Sequence, residues 1–178
     1  MDKKKNKNQI ALAGEYATLS QLALHEFDAS MTLGNTKSID ILINKPGTNK
    51  FIRMEVKTTT QKKEKYSGDF GKVYEWTMNA KHEEIRDNYL FYCFVKLADD
   101  YKNHKFFIVP AKIVAQYVKK EHKFWLKGKS HKKNCIKRKN NEMRTFRLGF
   151  KDYKENKGYK IEKTPLVETY ENRWDYLK

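Results

Sequence analysis

Three charged residues, Asp40, Glu55 and Lys57, lie in two short segments whose apolar residues alternate. Alternation with a period of two is typical of a strand with one buried face. Within residues 38–44 isoleucine occupies every second position, and within residues 51–57 isoleucine, methionine and valine do so. Because the three charged residues fall on the opposite parity, the pattern predicts that their side chains share the other face of a sheet.

The six residues between these segments, KPGTNK at 45–50, have the composition of a β-hairpin loop. A hairpin that is symmetric about the middle of this loop places Asp40 directly across from Glu55. Like charges in that position destabilise a sheet, by up to about 1 kcal/mol for exposed pairs, and a divalent cation would offset the cost. Carboxylates, water and phosphate are ligands that Mg²⁺ prefers. With Lys57 beside them, the group fits phosphodiester hydrolysis, in which a metal activates water and a cation offsets charge on the phosphorus oxygens.

A helix is predicted ahead of the hairpin, from about residue 8 to residue 27. Its apolar residues recur at spacings of three and four, which predicts one buried stripe. Glu15 borders that stripe. The predicted stripe consists of Leu12, Tyr16, Leu19, Ala23 and Phe27.

The rest of the chain alternates between strand and helix patterns. A near-continuous apolar run at 89–97 predicts a strand covered on both faces, and Asn79 is a suitable cap for a short helix. The order of elements favours one α/β domain with helices around a mixed sheet. Strands are predicted at 73–78, 89–97, 104–110 and 143–150, helices at 79–88 and 111–120, and a closing helical turn at 171–178.

Net charge is +16 and is concentrated in the second half of the chain. Residues 1–90 carry 15 basic and 12 acidic side chains, whereas residues 91–178 carry 23 and 10. Such an excess favours binding to a polyanion such as nucleic acid. Residues 119–147 hold twelve of these cations with aromatic residues interleaved, which predicts contact with a phosphate backbone. The predicted nucleic-acid contacts are Lys127, Lys129, Lys132, Lys133, Lys137, Arg138, Lys139 and Arg144.

Two cysteines, Cys93 and Cys135, make a disulfide framework improbable. The sequence starts MDKKKNKNQ, without the apolar core of a signal peptide, and no run approaches the roughly 20 apolar residues that cross a bilayer. We therefore expect a soluble, cytoplasmic protein that does not bind membranes. His131 and Cys135 have a spacing found in zinc sites but lack partner ligands, so zinc is not expected.

The segment SID followed, after fourteen residues, by EVK resembles the core motif of the PD-(D/E)XK nuclease superfamily. That superfamily includes restriction endonucleases and archaeal-type Holliday junction resolvases. The sequence GEYATLSQLAL resembles its first helix, in which a glutamate often joins the metal site, and Glu15 is the matching position. One departure is Ile39, which stands where the family has proline before the aspartate. The resemblance covers roughly residues 9–97.

The resemblance implies a restriction endonuclease-like core at 9–118, with a mixed central sheet flanked by helices. From composition and charge, residues 1–8 are expected to form a flexible basic tail, and residues 119–178 a basic C-terminal part of the same domain that contacts nucleic acid. The resemblance further implies that Asp40, Glu55 and Glu15 bind Mg²⁺, with Mn²⁺ as a substitute, and that Lys57 positions or activates the attacking water. The expected activity is endonucleolytic cleavage of DNA, of the restriction or junction-resolving kind, by a homodimer.

Other interpretations remain open at this point. Acid-x-lysine triplets also begin at Asp2, Asp100, Glu121, Asp152 and Glu155, so the triplet alone carries little information. The three charged residues could be a solvated sheet face with a cross-strand ion pair, and Glu15 an ordinary surface acid. The chain would then be a non-catalytic, basic nucleic-acid-binding protein. A nuclease-like fold acting on RNA, or within a larger complex, is a further alternative.

Overall fold

A computed structural model of the protein describes most of the chain. The described residues are 6–32, 39–60, 64–67, 70–85, 87–100, 102–128, 138–153, 161 and 164–178. Among the helices in these ranges, none is both long and apolar enough to span a bilayer.

The chain divides into two compact units, each built from separate stretches. The first comprises Met1–Lys63, Asp87–Ala111 and Thr169–Lys178, and the second comprises Glu64–Arg86 and Lys112–Glu168. The boundary expected between residues 118 and 119 lies inside a helix of the second unit.

A five-stranded mixed sheet forms the first unit, in the order β1-β2-β3-β6-β7. Strands β3 and β6 are parallel, and the other neighbours are antiparallel. The mixed α/β architecture predicted from the sequence is therefore confirmed. The strands of this sheet are β1 (Ala29–Met31), β2 (Ile41–Asn44), β3 (Phe51–Thr59), β6 (Leu90–Lys96) and β7 (Lys105–Pro110).

The loop at 45–50 closes the hairpin between β2 and β3 as predicted. The Lys45 amide donates to the Lys50 carbonyl over 2.9 Å. Gly47 has a φ of +69°, a left-handed conformation that glycine adopts without a Cβ penalty. Pairing of Ile41 with Met54 gives the register that places Asp40, one residue before β2, opposite Glu55.

Helix α1 (Lys7–Leu24) packs on the sheet through a face that differs from the predicted stripe. Its buried residues are Gly14, Thr18 and Leu22, spaced at four-residue intervals. Leu12 and Tyr16 are instead 46% and 57% exposed. Of the predicted stripe, Leu12, Tyr16 and Ala23 are therefore wrong, whereas Leu19 packs against the core and Phe27, beyond the end of the helix, is buried. The helix approaches the sheet where its residues are small, at Gly14 and Thr18.

The core of the first unit lies between α1 and one face of the sheet. The C-terminal residues complete it, because Trp174 and Leu177 of a 3₁₀ turn, Trp174–Leu177, are almost fully buried. The rings of His25 and Phe106 contact Trp174, at centroid distances of 5.3 and 5.8 Å. The closing turn predicted at 171–178 is therefore confirmed.

A separate three-stranded antiparallel sheet, in the order β4-β5-β8, forms the second unit. The strand predicted at 73–78 belongs to this sheet and not to the mixed sheet, because its partner is the late strand predicted at 143–150. The short helix predicted at 79–88 is a single 3₁₀ turn, capped by Asn79 as expected. The elements of this unit are β4 (Lys65–Ser67), β5 (Gly71–Asn79), most of α2 (Ala111–Lys127) and β8 (Met143–Gly149).

Candidate active site

Asp40 is fixed at the start of β2 by backbone pairing on both sides. Its amide donates to the Met54 carbonyl over 2.9 Å, and its carbonyl accepts from the Thr32 amide over 3.0 Å. The carboxylate turns toward β3, where Oδ2 accepts a hydrogen bond of 2.7 Å from the amide of Val56. A backbone donor therefore holds this carboxylate at the central strand of the sheet, beside Glu55.

Glu55 and Lys57 form an ion pair along β3, with 2.6 Å between Nζ and Oε1. The side chain of Glu55 is only 3% exposed, whereas that of Lys57 is 27% exposed. The two residues point to the same face because they are two positions apart in one strand. A fully solvated sheet face does not describe this arrangement, since the Glu55 side chain is buried.

Tyr92 is a further member of the site that the sequence analysis did not identify. It lies directly opposite Glu55 on the neighbouring strand β6 and is fully buried. Burial raises the pKa of Tyr92, and the charge of Glu55 and a hydrogen bond to it raise that pKa further. The neutral hydroxyl therefore donates to the Glu55 carboxylate. The available signal was a tyrosine inside an apolar strand, because a buried phenol usually has a polar partner.

Glu15 reaches the same group of charges from helix α1. Its pKa is raised, first by burial and then by the negative charge of Asp40, while the positive charge of Lys57 lowers it. Glu15 is therefore electrostatically coupled to two of the three residues predicted for the site.

Gly14 is the point of closest approach between α1 and β3. A Cβ built on Gly14 would lie 1.9 Å from Oγ1 of Thr58 and 2.9 Å from its Cβ. Only glycine permits this spacing. On the next turn of the helix, the Thr18 hydroxyl donates to the Gly14 carbonyl over 2.8 Å and lies 3.4 Å from Sγ of Cys93. The contact positions Glu15, the residue after Gly14, at the sheet.

The donor chemistry of this group suits Mg²⁺, since it offers carboxylate oxygens from three separate elements. Within the ranges that the structure describes, however, no three histidine, cysteine, aspartate or glutamate side chains converge closely enough to hold one metal ion together. Asp40 is turned to the Val56 amide and Glu55 to Lys57. The predicted metal ligands Asp40, Glu55 and Glu15 thus remain a prediction, with the first two facing each other across the hairpin.

Four of the eight predicted nucleic-acid contacts are described by the structure. Lys127, the last residue of α2, and Lys139 are exposed. Arg138 donates to the Trp125 carbonyl over 2.9 Å and stacks on its ring at 5.0 Å. Those outside the described residues are Lys129, Lys132, Lys133 and Lys137, and the zinc alternative at His131 and Cys135 also falls there.

Arg144 differs from the other predicted contacts because it is buried, at 6% exposure. Its guanidinium pairs with Glu83 and donates to the carbonyls of Asn141 and Met143. A guanidinium held in this way is directed into its own unit. The predicted contact of Arg144 with nucleic acid does not fit this buried position.

Comparison with solved structures finds a bacterial homing endonuclease, I-Ssp6803I, whose fold is similar. The TM-score is 0.53, and the alignment covers 96% of this chain and 92% of that chain at 13% sequence identity. At this identity the likeness concerns the fold alone. No protein-family model matches the sequence, and comparison with curated proteins gives no match.

Proposed function

We propose that the protein is a metal-dependent DNA endonuclease of the PD-(D/E)XK type, with Asp40, Glu55 and Lys57 at its centre. The observation that carries the proposal is the position of these three residues. Asp40 and Glu55 stand opposite each other at the central strand, and Lys57 contacts Glu55.

The burial of Glu55 supports a functional role for it. Removing a carboxylate from water is costly, and even a good ion pair repays that cost only in part. A well-packed apolar residue at this position would often be neutral or stabilising. Retention of a charged acid next to a lysine and a tyrosine therefore favours chemistry over stability, since groups of this kind cluster at functional sites.

The proposed reaction is attack of water on phosphorus, with cleavage of the bond to the leaving oxygen, which takes up a proton. Asp40, Glu55 and Glu15 would hold Mg²⁺, which supplies charge neutralisation and activation of water when bound. Lys57 would orient the water or offset the charge that develops on the phosphate oxygens. Tyr92 would hold Glu55 in place by its hydrogen bond.

DNA as substrate is supported by two features outside the acidic group. The net charge of +16 provides strong, salt-dependent attraction to a phosphate backbone. The structural neighbour is a homing endonuclease, although the likeness itself concerns only the fold. We assign the backbone contacts to the basic C-terminal part, including exposed Lys127 and Lys139.

The proposal is tested by incubating the protein with supercoiled and linear DNA in Mg²⁺ and in EDTA. We expect cleavage only with the metal. Asp40→Asn, Glu55→Gln and Lys57→Ala should each reduce the rate by about 100-fold or more, in line with the loss of one transition-state contact. DNA affinity, measured by fluorescence anisotropy in EDTA, should change little.

Matched controls come from exposed residues of the same unit. Asp28→Asn removes an exposed acid and Lys102→Ala an exposed lysine, and neither should alter cleavage. If the wild-type protein binds DNA but cuts no DNA in Mg²⁺ or Mn²⁺, the endonuclease proposal fails, and the non-catalytic binding protein takes its place. Cleavage of RNA alone would instead identify the substrate as RNA.

We also propose that two copies of the chain act together, because a pair of sites can cut both strands of a duplex. Light scattering of the protein with and without DNA tests this assembly. A monomer that nonetheless makes double-strand breaks in single encounters would contradict it.

A further inference from the structure

Basic and aromatic side chains lie together at the hairpin end of the five-stranded sheet. We call this group the hairpin-end surface. It consists of Lys45, Lys50, Phe51, Arg53 and Tyr89.

The aromatic members of the surface are open to solvent. Phe51 is 59% exposed and Tyr89 is 37% exposed. Single exposed rings are ordinary on protein surfaces, so it is the cations accompanying these two that indicate a binding surface. Phe51 is the first residue of β3 and directly follows the hairpin loop.

The cations of the surface are arranged around the rings. Nζ of Lys50 donates to the Tyr89 hydroxyl over 3.0 Å and lies 5.2 Å from the ring centre. This contact and the charge of Lys45 lower the pKa of Tyr89. Arg53, whose side chain is 39% exposed, pairs with Asp87, and its amide donates to the Tyr89 carbonyl over 2.7 Å. The positive charges of Lys50 and Lys45 therefore act on the Tyr89 ring, and Phe51 directly follows Lys50 in the chain.

Two members of the surface, Phe51 and Arg53, lie on the same sheet face as the candidate active site. Phe51, Arg53, Glu55 and Lys57 are alternate residues of β3, so their side chains emerge on one side. At about 3.3 Å per residue, Phe51 is about 13 Å from Glu55 along the strand.

We propose that the hairpin-end surface binds an unpaired stretch of the DNA strand that flanks the cut. Lys45, Lys50 and Arg53 contact its phosphates, and Phe51 stacks on a base. Cations interleaved with exposed rings are the arrangement by which proteins bind single strands, because every base offers a face for stacking. This inference rests on the proposed endonuclease function for the position of the cut, but not for DNA binding itself.

The test measures affinity in EDTA, where no cleavage is expected, for a plain duplex and for the same duplex with an unpaired segment of several nucleotides. Phe51→Ala should weaken binding to the unpaired substrate about 10-fold, since stacking on one base is worth about 1–3 kcal/mol. Binding to the plain duplex should change less than about 2-fold. Phe51→Trp, which keeps a stacking ring, should bind like the wild type.

The lysine is tested through salt dependence. Lys50→Ala should reduce the slope of log affinity against log salt by about 0.7, the value for one phosphate contact on a single strand. Matched controls are Lys102→Ala and Tyr16→Ala, an exposed lysine and an exposed ring in the same unit. Urea denaturation of every variant checks that a loss of affinity does not reflect loss of folding.

The outcomes separate this inference from the endonuclease proposal. If the wild type cuts DNA but Phe51→Ala and Lys50→Ala bind the unpaired substrate like the wild type, the inference is overturned and the endonuclease stands. If the wild type never cuts but both variants lose affinity as stated, the surface is supported and the endonuclease is not. Equal loss of affinity for the plain duplex and the unpaired substrate would also overturn it.

Discussion

Replacing Gly14 by alanine should destabilise the protein, although the same change in an open helix position is stabilising. Alanine in a helix interior is favoured over glycine by about 0.5–1 kcal/mol. At Gly14 the new Cβ would meet Oγ1 of Thr58 at 1.9 Å, and the Cβ and Cγ2 of the same residue at 2.9 Å. Rotation of the threonine moves Oγ1 and Cγ2 but leaves its Cβ in the way.

The magnitude follows from the shift that relieves this overlap. Carbon atoms pack at about 3.5–4.0 Å, so the helix must move away from β3 by more than half an ångström. Overpacking of this kind costs about 1–3 kcal/mol. After the gain in helix propensity is subtracted, we expect Gly14→Ala to lower the free energy of unfolding by about 1–2 kcal/mol.

The assay is urea denaturation, with a double-mutant cycle between Gly14→Ala and Thr58→Ala. Removing Oγ1 and Cγ2 of Thr58 should recover part of the loss, which gives a coupling energy for the contact. Ser20→Ala, at an exposed position of the same helix, is the control and should be neutral or slightly stabilising. A denaturation midpoint for Gly14→Ala above that of the wild type would refute the reasoning.

Three further predictions concern the site and the core. The pKa of Glu15 is raised in the folded state. Its contribution to the free energy of unfolding is therefore most favourable below the usual pKa of 4.5 and is lost as the pH rises through the folded-state pKa. Glu15→Gln should thus raise the urea midpoint at pH 7.5 in EDTA, and this gain should vanish near pH 4. Tyr92→Phe should lower the free energy of unfolding by about 1–3 kcal/mol, because the buried Glu55 carboxylate loses a hydrogen-bond donor. The same variant should bind Mg²⁺ more weakly in calorimetry. If neither the stability nor the Mg²⁺ affinity changes, Tyr92 is not part of the site. Trp174→Ala should cost about 3–5 kcal/mol, as large core truncations do, and a loss below 1 kcal/mol would contradict its place in the core.

The hairpin and its register could be predicted from the sequence because the information is local. Apolar residues alternate on either side of a short loop with a Pro-Gly pair, and a symmetric closure fixes which residues face each other. The pairing of Ile41 with Met54 confirms that register. The juxtaposition of Asp40 and Glu55 follows directly from it.

The face of α1 could not be predicted from apolar periodicity, since the closest contact is made by residues that such a pattern ignores. Gly14 and Thr18 are buried because they are small, while Leu12 and Tyr16 remain exposed. The role of Tyr92 could not be predicted either. Its partner is decided by the parallel pairing of β3 with β6, and the segments that form those strands are more than thirty residues apart.

The pairing of β5 with β8 also joins segments that are far apart in the sequence. Residues Val73 and Gly149 are cross-strand neighbours although the chain between them is long. Nothing in either segment specifies the other, so the sequence suggested one mixed sheet where the described residues form two. The basic segment also shows the limit of counting charges, because Arg144 is directed inward by Glu83.

Residues 171–177 complete the interior of the first unit from a position that follows all of its strands in the sequence. Glu171 forms a bridge with Phe107 and an ion pair of 2.8 Å with Lys105 at the edge strand β7, and Trp174 and Leu177 then fill the interior beside Phe106. The ribosome synthesises these residues after all strands of the five-stranded sheet. The unit that carries Asp40 and Glu55 therefore cannot complete its core until residues 169–178 have been synthesised. Nascent chains stalled before residue 169 should be cleaved by protease within this unit.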